Sequence, residues 1–409
     1  MTEAAKTVTT ADKIRCEVDG AMVHSIQAHL KSTYPNEWTL ERYREVYPNA
    51  PLLSDFARVA LEKAKMSKDE TDRRLRDVNV ANTNEDMAQP MLQAAFAKTH
   101  QPMHEIFDLG NVPAALGSAG GPIPVEVFSG HGGDSLSYLV EVDKSYVFNI
   151  ELLKKVLVGF ALNKPVYLWG MHGTGKTTVL QQAAARTRRP TIRVQHTINM
   201  EESHVLGQWV VKNGQTEFQL GPLPMAMING WLYIADEYDF AMPSVTAVYQ
   251  PVLEGQALLI KDAPPHLRKI IPHPDFRFAA TGNTNGCGDE TGLYQGTLMQ
   301  NAANFSRFGI TEEVEYMEPS IEENILRSKA QVPPPVAKKI VKLANDVRKM
   351  FKDGKIGMTI SPREMIAAAQ VGIAFGGNWK LGIELAFANR LPRADKKAVQ
   401  EYLQRAFGQ

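Results

Sequence analysis

Residues 165–177 read PVYLWGMHGTGKT. An apolar run of strand length, Val166 to Trp169, feeds a turn with glycines at 170, 173 and 175, and a lysine and a threonine follow at 176 and 177. The spacing satisfies G-x-x-x-x-G-K-[ST]. The TTVLQQAAART segment that comes next reads as a helix, so the motif lies in the strand–turn–helix context it needs. Glycines in such a turn let backbone N–H groups curl around an anionic phosphate, with the positive end of the following helix behind them. On this reading Gly170, His172, Gly173, Thr174, Gly175, Lys176, Thr177 and Thr178 form a nucleotide-binding loop. Lys176 is expected to reach the β- and γ-phosphates of ATP, and the Thr177 hydroxyl to ligate Mg²⁺.

Working outward, WLYIADEYDF (231–240) ends an apolar run in two carboxylates, Asp236 and Glu237. Buried charges are costly without partners, so packing alone gives no reason for them there. They make sense if Asp236 holds the magnesium and Glu237 polarises an attacking water. Asp239 is either a further member of this group or a cap for the next helix. FRFAATGN (276–283) is another strand-like run and delivers Asn283 to its end. Ligands of open parallel sheets sit at the carboxyl ends of the strands, where Asn283 would orient water against the γ-phosphate. The alternative is a turn role, because Gly282-Asn283 and Asn285-Gly286 are strong turn dipeptides.

PTIRV (190–194) adds a fourth apolar run, and helix or loop segments separate all four. This alternation argues for an α/β fold with a parallel sheet covered by helices. After about residue 317 the strands stop. Four segments at 333–351, 361–375, 379–391 and 396–407 read as the helices of a small lid. Residues 1–66 are helical in pattern (WTLERYREVYP, LLSDFARVALEKA) and form a separate N-terminal domain. Residues 67–135 read as a connector, charged at first and rich in Gly and Pro at the end, with one helical patch, MAQPMLQAAFAKTHQPMHEIF. The large ATPase domain is placed at 136–317 and the lid at 318–409.

The 44% hydrophobic and 22% charged composition is that of an ordinary globular protein, and Lys plus Arg equals Asp plus Glu at 45 each. No global field therefore favours nucleic acid or membrane. The first residues lack the apolar core of a signal peptide, and no apolar stretch is long enough to span a bilayer. Two cysteines far apart, Cys16 and Cys287, make a disulfide framework implausible and a reducing cytoplasm the natural location.

With these elements in order, the chain resembles AAA+ ATPases of the MoxR-related branch, and within it the CobS-like group, the ATPase subunits of aerobic cobaltochelatase. The phrases that carry the resemblance are GMHGTGKTT, ADEYDFAMPSVTAVYQPVLEG, HPDFRFAATGNTNGCGDETGLYQGT, SPREMI and LQRAFG, across about residues 140–409. The resemblance implies a P-loop αβα sandwich with a parallel five-stranded sheet, a C-terminal helical lid, and a homo-oligomeric, hexameric ring. It implies that Arg307 is an arginine finger reaching the neighbouring subunit's nucleotide. A cation supplied in trans in this way contributes on the order of 10³–10⁵ in rate in related systems. Arg363 would sense nucleotide from within the same subunit. The branch also carries two insertions. GQWVVKNGQTEFQLGPL, turning at Asn213-Gly214, has Trp209 and Phe218 as pore or core residues. GQALLIKDAPPHLRKIIPHPDF carries Lys261, His266, Arg268 and Lys269, read as a solvated basic hairpin with nucleic-acid contact as the alternative. A CobT-like partner with a von Willebrand-type domain is a further implication.

The first 66 residues depart from that group. RCEVDGAMVHSIQAHLKSTYP followed by WTLERYREVYP resembles a Ros/MucR-type zinc finger, which wants C-x₂-C and two later histidines. Cys16 and His29 are kept, but Asp19 replaces the second Cys, Thr33 and Tyr34 occupy the final ligand region, and His24 is off register. The expectation is a metal-free docking module held by its apolar core. CobS-like proteins with such an extension resemble those carried by phages, which leaves open three tasks: remodelling of a partner complex, a role in a cobaltochelatase, or a DNA-associated motor.

Overall fold

The computed structural model describes residues 12–35, 37–59, 96–110, 112–117, 120–289 and 292–408. The chain divides into two compact units, Met1–Met87 and Ala88–Gln409.

In the first unit a two-stranded ladder pairs Ile14–Arg15 with Met22–Val23, and two short helices follow, Ile26–Thr33 and Leu40–Val46. Each helix starts where a hydroxyl satisfies an orphan N–H: Ser25 accepts from Ala28 and Thr39 from Arg42. Cys16, Ile26, Leu30 and Tyr43 make its buried centre. Ligand atoms of Cys16, Asp19 and His29 lie within 4.8 Å of one another. That set is one donor short of the four that close a structural zinc site. The Tyr34 hydroxyl donates to Asp19 Oδ2 at 3.4 Å. Asp19 Oδ2 also lies 2.7 Å from His29 Nε2. Among the described residues the group is joined by hydrogen bonds and supplies three donors, which does not fit a four-donor zinc site. The LLSDFARVALEKA segment lies outside the described residues from Ala60 onward.

The second unit is built on five parallel strands: β1 (Val166–Trp169), β2 (Thr191–Gln195), β3 (Leu232–Asp236), β4 (Arg277–Thr281) and β5 (Ile310–Glu313). Their spatial order is β5-β1-β4-β3-β2. Every residue of β3 and β4 is buried, as strands covered on both faces must be. Two apolar clusters, one on each side of the sheet, cover them. The registers Thr281↔Leu168, Ala280↔Ala235 and Gln195↔Asp236 align the carboxyl ends of four strands. Gly170, Asp236 and Asn283 are therefore brought to one edge by the ladder itself.

Several elements differ from the sequence reading. β5 was not among the apolar runs, because ITEE exposes alternate polar residues as the edge strand of the sheet. Ala97–Pro102, expected as part of a helical patch, is a strand paired antiparallel with Pro124–Ser129. The buried Val125, Val127 and Phe128 opposite it supply the tertiary pairing that overrides local propensity. From Phe96 onward the expected connector therefore belongs to the second unit, and its earlier part, 67–95, lies outside the described residues.

Five helices form the C-terminal region: Pro319–Ala330, Pro334–Lys352, Pro362–Ala374, Trp379–Ala386 and Arg393–Phe407. The first was not read from the sequence; the other four were. They enclose a separate apolar cluster. The two insertions are hairpins. Gly207–Lys212 pairs with Gln215–Leu220 through Asn213 (φ 52°) and Gly214 (φ 78°), and Leu258–Leu259 pairs with Lys269–Ile270. Positive φ at both turn residues matches the twist of a two-residue hairpin. Phe218 is buried, while Trp209 is half-exposed and its indole N–H donates to Asp262 O at 2.9 Å. No helix of the described residues is long and apolar enough to cross a membrane.

Candidate functional site

The turn after β1 is held open by left-handed glycines, Gly173 at φ 71° and Gly175 at φ 90°. The helix Lys176–Arg186 begins directly behind them. A Cβ on Gly173 would stand 2.5 Å from Ser361 Cβ, so the loop and the C-terminal helices meet at a position only glycine fits. Lys176 Nζ donates to the Gly170 and Met171 carbonyls at 2.7 and 2.8 Å and lies 3.4 Å from Asn283 Oδ1. Burial pushes this ammonium down to about 8, against the pull of Asp239, Asp236 and Glu237.

Asp236 is buried at the end of β3. Its Oδ1 accepts from Thr177 Oγ1 at 2.6 Å and from the Thr281 hydroxyl, and its Oδ2 accepts from Arg193 Nε at 2.8 Å. The Thr177 hydroxyl and the Asp236 carboxylate are thus adjacent hard oxygens, the donor chemistry that suits Mg²⁺. Glu237 takes a left-handed backbone at φ 54°, and Gln195 Nε2 donates to its Oε2 at 2.8 Å. Asp239 does not cap the following helix, Pro243–Thr246, whose N-cap is Met242.

These groups surround a cleft of about 420 Å³. Of the residues singled out from the sequence, His172 through Thr178, Asp236, Glu237, Asn283 and Arg363 all line it. Gly170 and Arg307 do not. Gly170 makes the turn itself: its φ is 133°, and a Cβ there would stand 2.6 Å from Val314 O. Arg307 lies beyond the helix Ala302–Phe305, with Nε donating to Glu254 Oε1 at 2.6 Å.

The cleft is also lined by residues the sequence reading missed: Tyr146 and Val147 ahead of β1, and Met317, Ile325 and Ile366 from the C-terminal region. Burial raises the Tyr146 phenol well above its ordinary range. Asp143 and Lys329 form an ion pair on the rim. The backbone N–H of Asp143 donates to Gln182 Oε1 at 2.9 Å, so the loop's own helix fixes that segment. A phosphate cradle and apolar side chains lining one cleft are complementary to a nucleoside triphosphate. Arg193, Gln195 and Tyr294, which also reach this site, carry no local signal because tertiary pairing alone brings them there.

Residues 165–298 match the AAA domain of the dynein-related subfamily, and residues 322–409 match the CbbQ/NirQ/NorQ C-terminal domain. The aerobic cobaltochelatase subunit CobS of a Sinorhizobium species is 36% identical over 283 residues, covering 66% of this chain and 84% of that protein. Midasin of Dictyostelium discoideum is 28% identical over 202 residues, 49% of this chain and 3% of that protein. Among solved structures, the Thermotoga maritima RuvB Holliday junction branch migration motor aligns at 13% identity and a TM-score of 0.38, over 66% of this chain and 75% of that one. Fold and site together define a P-loop ATPase of the AAA+ class. Within that class the chain belongs to the CobS/MoxR-like AAA+ ATPases.

Proposed function

We propose that this ATPase works as a hexameric ring with MgATP at each subunit boundary and couples hydrolysis to the remodelling of a partner complex. The observation that carries this reading is the separation of the two arginines: Arg363 lines its own chain's cleft, whereas Arg307 lies outside it. A cation of that position is available to a neighbour's nucleotide and not to its own.

In this reading the loop N–H groups of residues 172–178 and the Lys176 ammonium bind the phosphates. Thr177 Oγ1 and Asp236 would hold Mg²⁺, which when bound neutralises charge shared by the β- and γ-phosphate oxygens. Glu237 accepts a proton from the attacking water, Asn283 orients that water, and Arg307 acts in trans. The Gly207–Leu220 hairpin faces the pore. The N-terminal unit serves docking, and a partner with a von Willebrand-type domain receives the force. A reducing cytoplasm suits the two free thiols, Cys16 and Cys287.

A second reading, the ATPase subunit of a cobaltochelatase, is supported by the 36% identity to CobS. ATPase stimulation by a large chelatase subunit would favour it, whereas stimulation by a folded client or by DNA favours a remodelling motor. The first experiment is to weigh the Glu237→Gln chain by mass photometry with and without MgATP. A nucleotide-dependent species of about six chains supports the ring, and a monomer at every concentration contradicts it.

A further inference from the structure

Asp239 is fully buried in the turn after β3, and none of the proposed chemistry uses it. One of its oxygens, Oδ2, accepts three hydrogen bonds: from the N–H of Asn283 at 2.8 Å, the N–H of Thr284 at 2.8 Å and the Thr284 hydroxyl at 2.9 Å. Its main-chain carbonyl accepts the N–H of Leu298 at 2.7 Å. A single residue therefore grips both ends of the segment that leaves β4 at Asn283 and returns at Leu298.

The grip leaves no slack. On the other side of the same turn, Tyr167 donates its hydroxyl to Thr284 O at 2.7 Å. A Cβ on Gly282 would come within 1.9 Å of that hydroxyl and 3.1 Å of Asp239 Cγ. Between its two anchored ends the segment carries Tyr294, whose hydroxyl accepts the His172 N–H at 2.9 Å and lies 3.4 Å from Met171 Sδ. What Asp239 fixes is therefore the placement of Asn283 beside Lys176 and of Tyr294 against the phosphate loop.

We infer that Asp239 is a positioning residue for ATP hydrolysis: through Oδ2 it holds Asn283 in the place from which that side chain orients water. This rests on the role proposed above for Asn283. Three donors converging on one oxygen define a direction that a lone turn dipeptide cannot, and misplacement by about 1 Å near the reacting atoms costs on the order of 10²-fold in rate. The remaining oxygen, Oδ1, is buried with no hydrogen-bond partner among the described residues, so Asn, which keeps an accepting oxygen for the Oδ2 position, is the conservative replacement.

The test is steady-state MgATP kinetics on the full chain for Asp239→Ala, Asp239→Asn, Asn283→Ala and the Asp239→Ala/Asn283→Ala double variant. Asp239→Ala is expected to lower kcat on the order of 10²-fold with KM changed by less than about threefold, and Asp239→Asn to recover most of that loss. The double variant should be no slower than Asn283→Ala alone, because both remove one function. Losses that multiply in the double variant, or wild-type kcat in Asp239→Ala, overturn the inference and leave the ATPase reading intact. Wild-type kcat in Asn283→Ala removes the role of Asn283 and this inference with it. If Asp239→Ala does not fold, Thr284→Val, which deletes the hydroxyl bond to Asp239 together with the long bond from the Gly286 N–H at 3.4 Å, carries the test. A lowered kcat at unchanged KM supports the inference, and unchanged kcat contradicts it.

Discussion

Glu237 and Gly282 show how tightly single residues are constrained at the strand ends. Glu237 adopts φ 54°, a left-handed conformation that costs a non-glycine residue about 1–2 kcal/mol. Its side chain is held by Gln195, which fixes the carboxylate at the mouth of the cleft. Gly282 has no room for a methyl group, with the Tyr167 hydroxyl 1.9 Å from where a Cβ would stand. Gly282→Ala is therefore expected to lower stability by about 1–3 kcal/mol, and pairing it with Tyr167→Phe should relieve part of that cost. Thermal unfolding checks this, and an unchanged melting temperature in Gly282→Ala contradicts it. At this scale much of the site was legible. The phosphate loop and the Asp236-Glu237 pair are contiguous patterns in which chemistry and spacing coincide. Gln195 and Arg193, both on β2, and Tyr146 on the loop ahead of β1 were not legible, because no local pattern marks them.

Among the elements, a buried ion pair joins two of the C-terminal helices, Pro319–Ala330 and Pro334–Lys352. Arg348 donates to both oxygens of Glu322 at 2.7 and 2.9 Å, donates to Ile360 O at 3.0 Å, and lies 3.8 Å from the centre of the Tyr316 ring. Tyr316 in turn donates to His172 O at 3.3 Å, so this cluster connects the C-terminal helices to the phosphate loop. Removing one member of a buried pair strands the other charge. Glu322→Ala is expected to cost about 3–5 kcal/mol and to weaken nucleotide binding, measured by denaturant unfolding and by nucleotide titration. Wild-type values in both would show that the pair carries neither role. Elements with strong periodicity or turn chemistry were read correctly, including four of these helices and the Asn213-Gly214 hairpin. The edge strand β5 and the strand Ala97–Pro102 were missed because ITEE and AKTHQP are largely polar. Both are strands because of what they pair with, and pairing partners are not visible in a local window.

For the whole molecule, the ring proposed above takes one catalytic group from a different chain than the rest. Lys176, Thr177, Asp236, Glu237 and Asn283 surround one cleft, while Arg307 stands outside it beside Glu254. Residue pattern located the first five, the resemblance named Arg307 and implied its place in trans, and the fold puts it outside its own cleft. The most direct measurement is MgATP turnover per chain as a function of protein concentration, for wild type, Glu237→Gln and Arg307→Ala. A shared-site ring predicts turnover that rises with concentration, falls on the order of 10²-fold or more in both variants, and is poisoned when either variant is mixed with wild type. Turnover indifferent to concentration and to Arg307→Ala would contradict the shared site and, with it, the ring.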